Sequence, residues 1–500
     1  MRVNVITAML SLKNLSLTLV LTLSGASFNL AFGATRYVWA GSPSPDASYT
    51  NWNSAARTIQ DAVDAAQTGD IVLVTNGSYS TGGRAVYGTM TNRIAIDKAI
   101  TVQSVNGPGV TWIVGAGIGP GGTDNGDGAI RCVYVGTNAV LSGFTLTNGH
   151  TRTSGDYDKE QSGGGAWCEV SGVLTNCTLS GNSTYYSGGG SYDGTLNNCT
   201  LSGNSASSSG GGLRYGMLNN YTLSAGSNSP SYGGGSRYGT LNNCTLSDNS
   251  ASYGGGSSYG TLNNCILSGN SATGLGSGGG SSYGTLNNCT LIGNSAGFFG
   301  GGSSSGALNN CTLSGNSAAY GGGSSSGTLI NCIVYYNTAV NGSNYNGCIF
   351  SYSCVTPLPS GTGNITNEPA FVDRLAGNFR LLATSPCINA GNDSVVQPGW
   401  LDMDGHPRIF GPHVDMGAYE FVDNTNRPVF IGWSMSGSNF SAQVTTEAGR
   451  AYWLESRDSL SMGAWQVVCG LTNVAGFNRL TDTNAASVQR FYRLGSAPLP

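Results

Sequence analysis

Residues 278–296 read G-G-G-S-S-Y-G-T-L-N-N-C-T-L-I-G-N-S-A. The same phrase returns eight times between Gly163 and Tyr336. With the cysteine as zero, it falls at Cys177, Cys199, Cys244, Cys265, Cys289, Cys311 and Cys332, and Tyr221 fills the third slot. The steps are 22, 22, 23, 21, 24, 22 and 21 residues. Leucine stands three places before zero every time, and asparagine one place before. A period in the twenties marks a solenoid, because no single repeat buries its own apolar face and neighbours must stack.

The pieces between Gly, Ser and Asn are short and β-like, so helix is disfavoured. Strand side chains alternate faces, so zero and plus two point inward together. Leucine at minus three cannot share that face on one flat strand. A corner is required between them, and the Asn pair supplies it through its tolerance of left-handed geometry. The Gly triplet marks another corner. The expected fold class is all-β: a parallel β-helix with Leu and Cys in internal columns and Asn bonding along the axis. A second Asn column stands at plus five, from Asn182 to Asn337. Tyr221 and Gly226 break both columns, so that coil is expected to be distorted.

The G-G-G-S and C-T-L-S-G-N-S-A pieces resemble the repeats of polymorphic outer membrane proteins. They are also similar to bacterial right-handed parallel β-helix proteins of the pectin-lyase-like superfamily. The resemblance implies a right-handed coil, and it rests on structural residues, so it speaks to fold more than to function. Residues 58–79, with T-I-Q-D-A-V-D-A-A and G-D-I-V-L-V, are similar to the opening segment of that superfamily, where a helix covers the open end. An uncovered end would expose edge strands and an apolar cross-section.

Glycine makes up 79 of the 500 residues and charged residues 9%, which suits tight coils and excludes a charged disordered tail. Residues 1–33 read as an export signal: Arg2 and Lys13, an apolar run from Leu15 to Leu23, and small residues at Ala31 and Gly33. Losing Arg2 and Lys13 takes the formal net charge from −4 to −6. No basic patch points to nucleic acid, and no other stretch has the length and apolarity of a membrane span. Location in the exterior or on the outer surface of a bacterium is therefore expected. The 13 cysteines are read mostly as apolar ladder filler, with a Cys348–Cys354 bridge left open.

The remaining boundaries follow composition. Residues 34–92 read as an N-terminal cap, with a helix capped by Asn53-Ser54 and running to about Gln67. Residues 93–390 read as the β-helix, with the repeats at 163–336. Residues 391–423 close it, and 424–500 read as a small β-sandwich with a sorting or anchoring role. The run Asp402-Met403-Asp404-Gly405-His406-Pro407-Arg408 and the later Asp415-Met416-Gly417-Ala418-Tyr419-Glu420 are similar to the ends of secreted β-helix proteins with choice-of-anchor domains. The chain lacks strands enough for its own outer-membrane pore.

Three candidate sites stand out. Tyr215, Tyr238, Tyr259 and Tyr283 share the minus-six position and Tyr192 lies one place off. A stripe one coil apart suits extracellular polysaccharide or surface glycan bound cumulatively; the alternative is an aromatic ladder packed against flanking loops. His150, Asp156, Asp158, Lys159 and Glu160 form the densest ionisable cluster, in the insertion 147–162. Together with Asp124 and Asp127 they are the catalytic candidates if the chain is a polysaccharide lyase or glycoside hydrolase. Otherwise they are a solvated loop. Asp402, Asp404 and Asp415 are candidate calcium ligands, against a simple Asp-Gly turn with a paired arginine. From Asn249 to Asn367 there is no Asp, Glu, Lys, Arg or His. Hydrolases need two placed carboxylates and lyases a base with groups that neutralise the uronate. The composition therefore favours a non-catalytic adhesive or glycan-binding protein. An enzyme and a structural spacer are the alternatives. The expected outward Thr at plus one forms a hydroxyl array, with Ile266 and Ile333 breaking it. Oligomeric state is not legible.

Overall fold

The computed structural model describes residues 21–23, 26–28, 33–224, 231–422, 430–436, 439–446, 450–458, 465–472, 476–483 and 490–498. Most of the expected leader, and Gly226, lie outside the described residues. Two compact units are present: residues 1–381 with 385–420, and residues 382–384 with 421–500.

The first unit is a right-handed parallel β-helix. Each regular coil carries a Gly-Ser strand such as Ser281–Ser282, then Thr285–Asn287, then Thr290–Ile292. Each strand pairs in parallel with its equivalent on the next coil, Leu262 with Leu286 and then Leu308. The Asn before zero takes the left-handed corner throughout, with φ of 51–57° from Asn176 to Asn331. The Gly triplet divides its labour. Gly254 has φ +65°. A Cβ on Gly255 would sit 2.4 Å from the Ser271 carbonyl oxygen, and one on Gly256 2.6 Å from that of Gly280. The first glycine is needed for conformation and the next two for close coil contact.

Leu262, Cys265, Leu267 and their equivalents are fully buried. Each buried leucine contributes about 1.5–3 kcal/mol. Three Asn ladders run along the axis, one of them through the corner residues, Asn288 to Asn310 at 3.2 Å and Asn310 to Asn331 at 2.9 Å. Amide-to-amide distances are 2.8–3.0 Å between Asn197, Asn219, Asn242, Asn263, Asn287 and Asn309. At plus five, Asn249, Asn270, Asn294, Asn316 and Asn337 are joined at 2.9–3.0 Å and are buried.

The structure corrects three expectations. The helix spans Ile59–Ala65 with Thr58 as its N-cap, so the Asn53-Ser54 start is too early. Asn51 instead accepts from the Asn53 and Ser54 N–H groups in a turn. The β-helix begins before residue 93: Thr35–Val38 pairs in parallel with Ile71–Val74, which pairs with Thr101–Ser104. The Tyr221 coil holds register over Met217–Ser224, with Tyr221 opposite Cys244. The ring fills the cysteine position, and its hydroxyl is left buried without a partner.

The parallel ladders end at Ile349–Ser351 and Cys354–Val355. Residues 385–420 then fold back as a strap along the Asn corner. Asn264 donates to the Leu401 and Asp402 carbonyls at 3.3 Å. The Ala418 N–H reaches Thr312 Oγ1 at 3.0 Å, and the Gly417 N–H reaches the Asn331 carbonyl at 2.7 Å. Thr290, Thr312 and Ile333 are thereby buried, which removes the later coils from any hydroxyl array.

The second unit holds two three-stranded antiparallel sheets. One orders Phe430–Ser436, Asn439–Thr446 and Gly476–Asp482; the other Gln466–Thr472, Arg450–Arg457 and Phe491–Pro498. Ala442, Val444, Leu454 and Leu480 make their shared core.

Candidate functional site

The minus-six residue is a second left-handed corner, and the chain places tyrosine there. Tyr215, Tyr238, Tyr259 and Tyr283 have φ of 55–61°. A bulky residue in this region is an outlier that costs about 1–3 kcal/mol. Their rings form a ridge: Tyr215 and Tyr238 stack at 5.4 Å, and Tyr259 and Tyr283 at 4.9 Å with 5° between planes. Tyr238 and Tyr259 are 5.4 Å apart and tilted. Tyr192 is out of this register. It is a strand residue paired with Arg214, buried, and its ring meets Tyr215 edge-on. The ring faces within the ridge therefore meet one another, and the Tyr215 and Tyr238 hydroxyls accept from Arg214 and Arg237 at 3.2 and 3.1 Å.

A second aromatic column precedes the Gly triplets, and sequence reading missed it. Tyr232 and Tyr253 stack at 5.4 Å, and Phe299 lies 5.5 Å from Tyr320. The signal was present, an aromatic just before each triplet in four coils. Arg237 bridges the columns, 4.4 Å from the Tyr232 centroid and 4.7 Å from that of Tyr238. Beside the ridge run exposed threonines at minus four, Thr261, Thr285 and Thr328 among them, and then the Asn ladder.

The two insertions fold onto the first coils and neutralise themselves there. Arg152 reaches Asp127 at 3.1 Å and Glu160 at 2.8 Å. The Asp156 and Thr89 N–H groups, with Arg152, hold Glu160 below the usual carboxylate range. Asp156 accepts from the Asp158 and Lys159 N–H groups. The Lys159 ammonium lies 4.4 Å over the Tyr87 ring. His150 is buried, its two ring nitrogens 3.1 and 2.8 Å from the Asn148 and Thr123 carbonyls. Arg131, pushed down to about 9 by burial, accounts for the loop's seat: it donates to the Gly163, Lys159 and Ser162 carbonyls. Next to it, Glu169 accepts from Tyr87 at 2.6 Å and Tyr134 at 3.0 Å. The Asp193 carboxyl is pushed up by burial and further by the Glu169 charge.

The calcium candidates separate. Asp402 and Asp404 come together with His406, their ligand atoms within 4.8 Å; Asp415 instead accepts from the Asn389 N–H at 2.6 Å. Asp402 accepts from the backbone N–H groups of Asp404, His406 and Glu420 at 2.7–2.9 Å. Asp404 pairs with Arg380. These carboxylates are engaged in a turn at Gly405 (φ +85°), and the set does not fit a calcium cage, which takes 6–8 oxygens. A 360 Å³ cleft lies beside it, lined by Asn243, Asn264, Ile266, Leu401 and Asp404 among others.

No family model and no curated protein matches the chain. Solved structures do. Pectate lyase Pel9A is 12% identical with a TM-score of 0.37, over 78% of this chain and 97% of that one. XylC, solved with xylose, is 7% identical with a TM-score of 0.42, over 90% and 100%. A rhamnogalacturonan lyase is 14% identical with a TM-score of 0.37, over 68% and 91%. The likeness is one of fold. Among the described residues no helix is long and apolar enough to cross a membrane.

Proposed function

We propose that this chain is an exported, non-catalytic β-helix of the cell surface or exterior that binds neutral glycan along the flank carrying the tyrosine ridge. One observation carries the reading. The coils from Asn249 to Asn367 hold no Asp, Glu, Lys, Arg or His, while that flank presents tyrosine edges, threonine hydroxyls and a bonded row of Asn amides. On the coils after Asp248, uncharged hydrogen-bonding groups beside the Tyr259 and Tyr283 rings match an uncharged, hydroxyl-rich polymer and offer nothing to neutralise a uronate, Arg214 and Arg237 standing on the coils before them. The resemblance to choice-of-anchor termini supports a sorting role for residues 424–500. The test is a glycan array with the full chain: binding to neutral glycans is expected, and binding confined to acidic ones overturns the reading.

A second reading, a lyase or glycoside hydrolase, has one observation in its favour. Asp193 and Glu169 are neighbouring carboxylates with different surroundings, one half-buried and one held by two tyrosine hydroxyls. Two placed carboxylates are what a hydrolase needs. Against it, Tyr134, Trp167 and Tyr192 around them are buried, so the cluster is packed and not a groove.

A further inference from the structure

We infer that the sugar-stacking position on this flank is a single ledge at Tyr283, and that the rest of the ridge is its support. The inference rests on the neutral-glycan reading and narrows it to one place.

An aromatic ring holds a pyranose through its face. In the ridge, the faces of Tyr238 and Tyr259 are taken from both sides by neighbouring tyrosines at 4.9–5.4 Å. The ridge stops after Tyr283. On the next two coils the same left-handed corner is filled by Ser305 (φ +54°) and Ser326 (φ +55°). Register is unbroken there, Ser282 opposite Ser304 and Ser304 opposite Ser325, so Ser305 follows Tyr283 directly along the axis. Exposure changes accordingly: 39% at Tyr238, 40% at Tyr259 and 51% at Tyr283.

The neighbouring column narrows at the same coil. Minus four is Thr285, then Ala307, then Thr328, in parallel register. Tyrosine to serine and threonine to alanine on one coil open a step beside Tyr283, where successive coils are spaced roughly 4.8 Å along the axis. Tyr283 is its wall, Ser305-Gly306-Ala307 its floor, and the Ser326 and Thr328 hydroxyls its far edge. The proportions suit one pyranose ring face-on to Tyr283, with its equatorial hydroxyls toward serine and threonine. No Asp, Glu, Lys, Arg or His stands on these coils. The ligand class is therefore a neutral glycan with a flat, equatorially substituted ring.

The test is calorimetric titration of the full chain with neutral β-linked gluco-, xylo- and manno-oligosaccharides, with polygalacturonate alongside. Tyr283→Ala should weaken binding by about tenfold or more, as loss of a central aromatic anchor does. Tyr238→Ala should leave affinity within about twofold, because its faces are already occupied. Ser305→Tyr extends the ridge in a corner that accepts tyrosine on four other coils. It should abolish binding with the circular dichroism unchanged. Neutral-glycan binding that survives both Tyr283→Ala and Ser305→Tyr overturns the ledge and leaves the broader reading standing. No neutral-glycan binding by the unmodified chain overturns both.

Discussion

Arg408 meets Glu420 at 3.1 Å with both side chains withdrawn from water. The guanidinium also donates to the Asp415 carbonyl at 3.0 Å, and the Asp415 N–H points at Glu420. Asp402 closes the group through the Glu420 N–H. One buried arginine thus meets one carboxylate directly, with the Asp415 and Asp402 carboxylates close by.

Burial pushes the Glu420 carboxyl up to about 8, with Arg408 opposing and Asp415 adding to the shift. A carboxyl whose folded value exceeds its unfolded value of 4.5 binds its proton more tightly in the folded chain. Its contribution to stability is full below about 4.5 and is lost as pH rises through about 8. The strap should therefore be held more firmly at pH 5 than at pH 8.5. Hydrogen exchange across residues 400–420 measures this, and Glu420→Gln should flatten the difference. Equal protection at both pH values in the unmodified chain would contradict the assignment.

Leu262 is fully buried between Leu241 and Leu286. Leu262→Ala should cost about 2–5 kcal/mol through the cavity it leaves. Leu262→Asp should cost several kcal/mol more, because a carboxylate has no partner there. Urea unfolding read by circular dichroism checks both. A Leu262→Asp chain as stable as the original would show that the column does not face inward.

All 13 cysteines are free thiols, and the seven ladder positions are buried. Cys348 and Cys354 do not meet: the Cys348 thiol accepts from the Gly327 N–H, and that of Cys354 reaches the Asn367 carbonyl at 3.1 Å. Burial pushes the Cys132 and Cys168 thiols up to about 12, and the thiolate is the reactive form. The ladder thiols should label slowly in the native protein and completely in the denatured one. Fast modification of the ladder thiols without denaturant would refute their burial.

Incubation with pectate, alginate and neutral glycans, with and without calcium, should give no new reducing ends and no unsaturated-uronate absorbance. Turnover abolished by Asp156→Ala with Asp158→Ala would place an active site in the insertion. Turnover abolished by Glu169→Gln would place it on the coils beneath.

The repeat made the core legible. Leu262, Cys265 and Asn264 occupy the inward and corner positions their spacing predicts, because strand alternation and left-handed tolerance act within a few residues. Thr58 was missed because Asn53 and Ser54 are equally good caps by composition, and only packing against the first coils decides between them. Tyr221 was read as a disturbance because the pattern reports residue identity and not the space available to a ring. The ridge was legible as a column but not as a stack. Ring orientation depends on the corner's φ, which for tyrosine runs against its ordinary preference. His406 joined Asp402 through a four-residue turn, whereas Asp415 was drawn away by the Asn389 N–H, a partner distant in sequence.

A stacked array ordinarily loses order from its ends inward, one unit at a time, since each unit feels only its neighbours. The strap alters that rule over part of this molecule. Its contacts at Asn264, Thr312 and Asn331 tie the Asn264 coil to two coils that it does not touch. Fraying of the last coil would have to break bonds several coils away. This end of the solenoid should melt as a cooperative block, and a chain under tension should yield there in one event instead of a staircase.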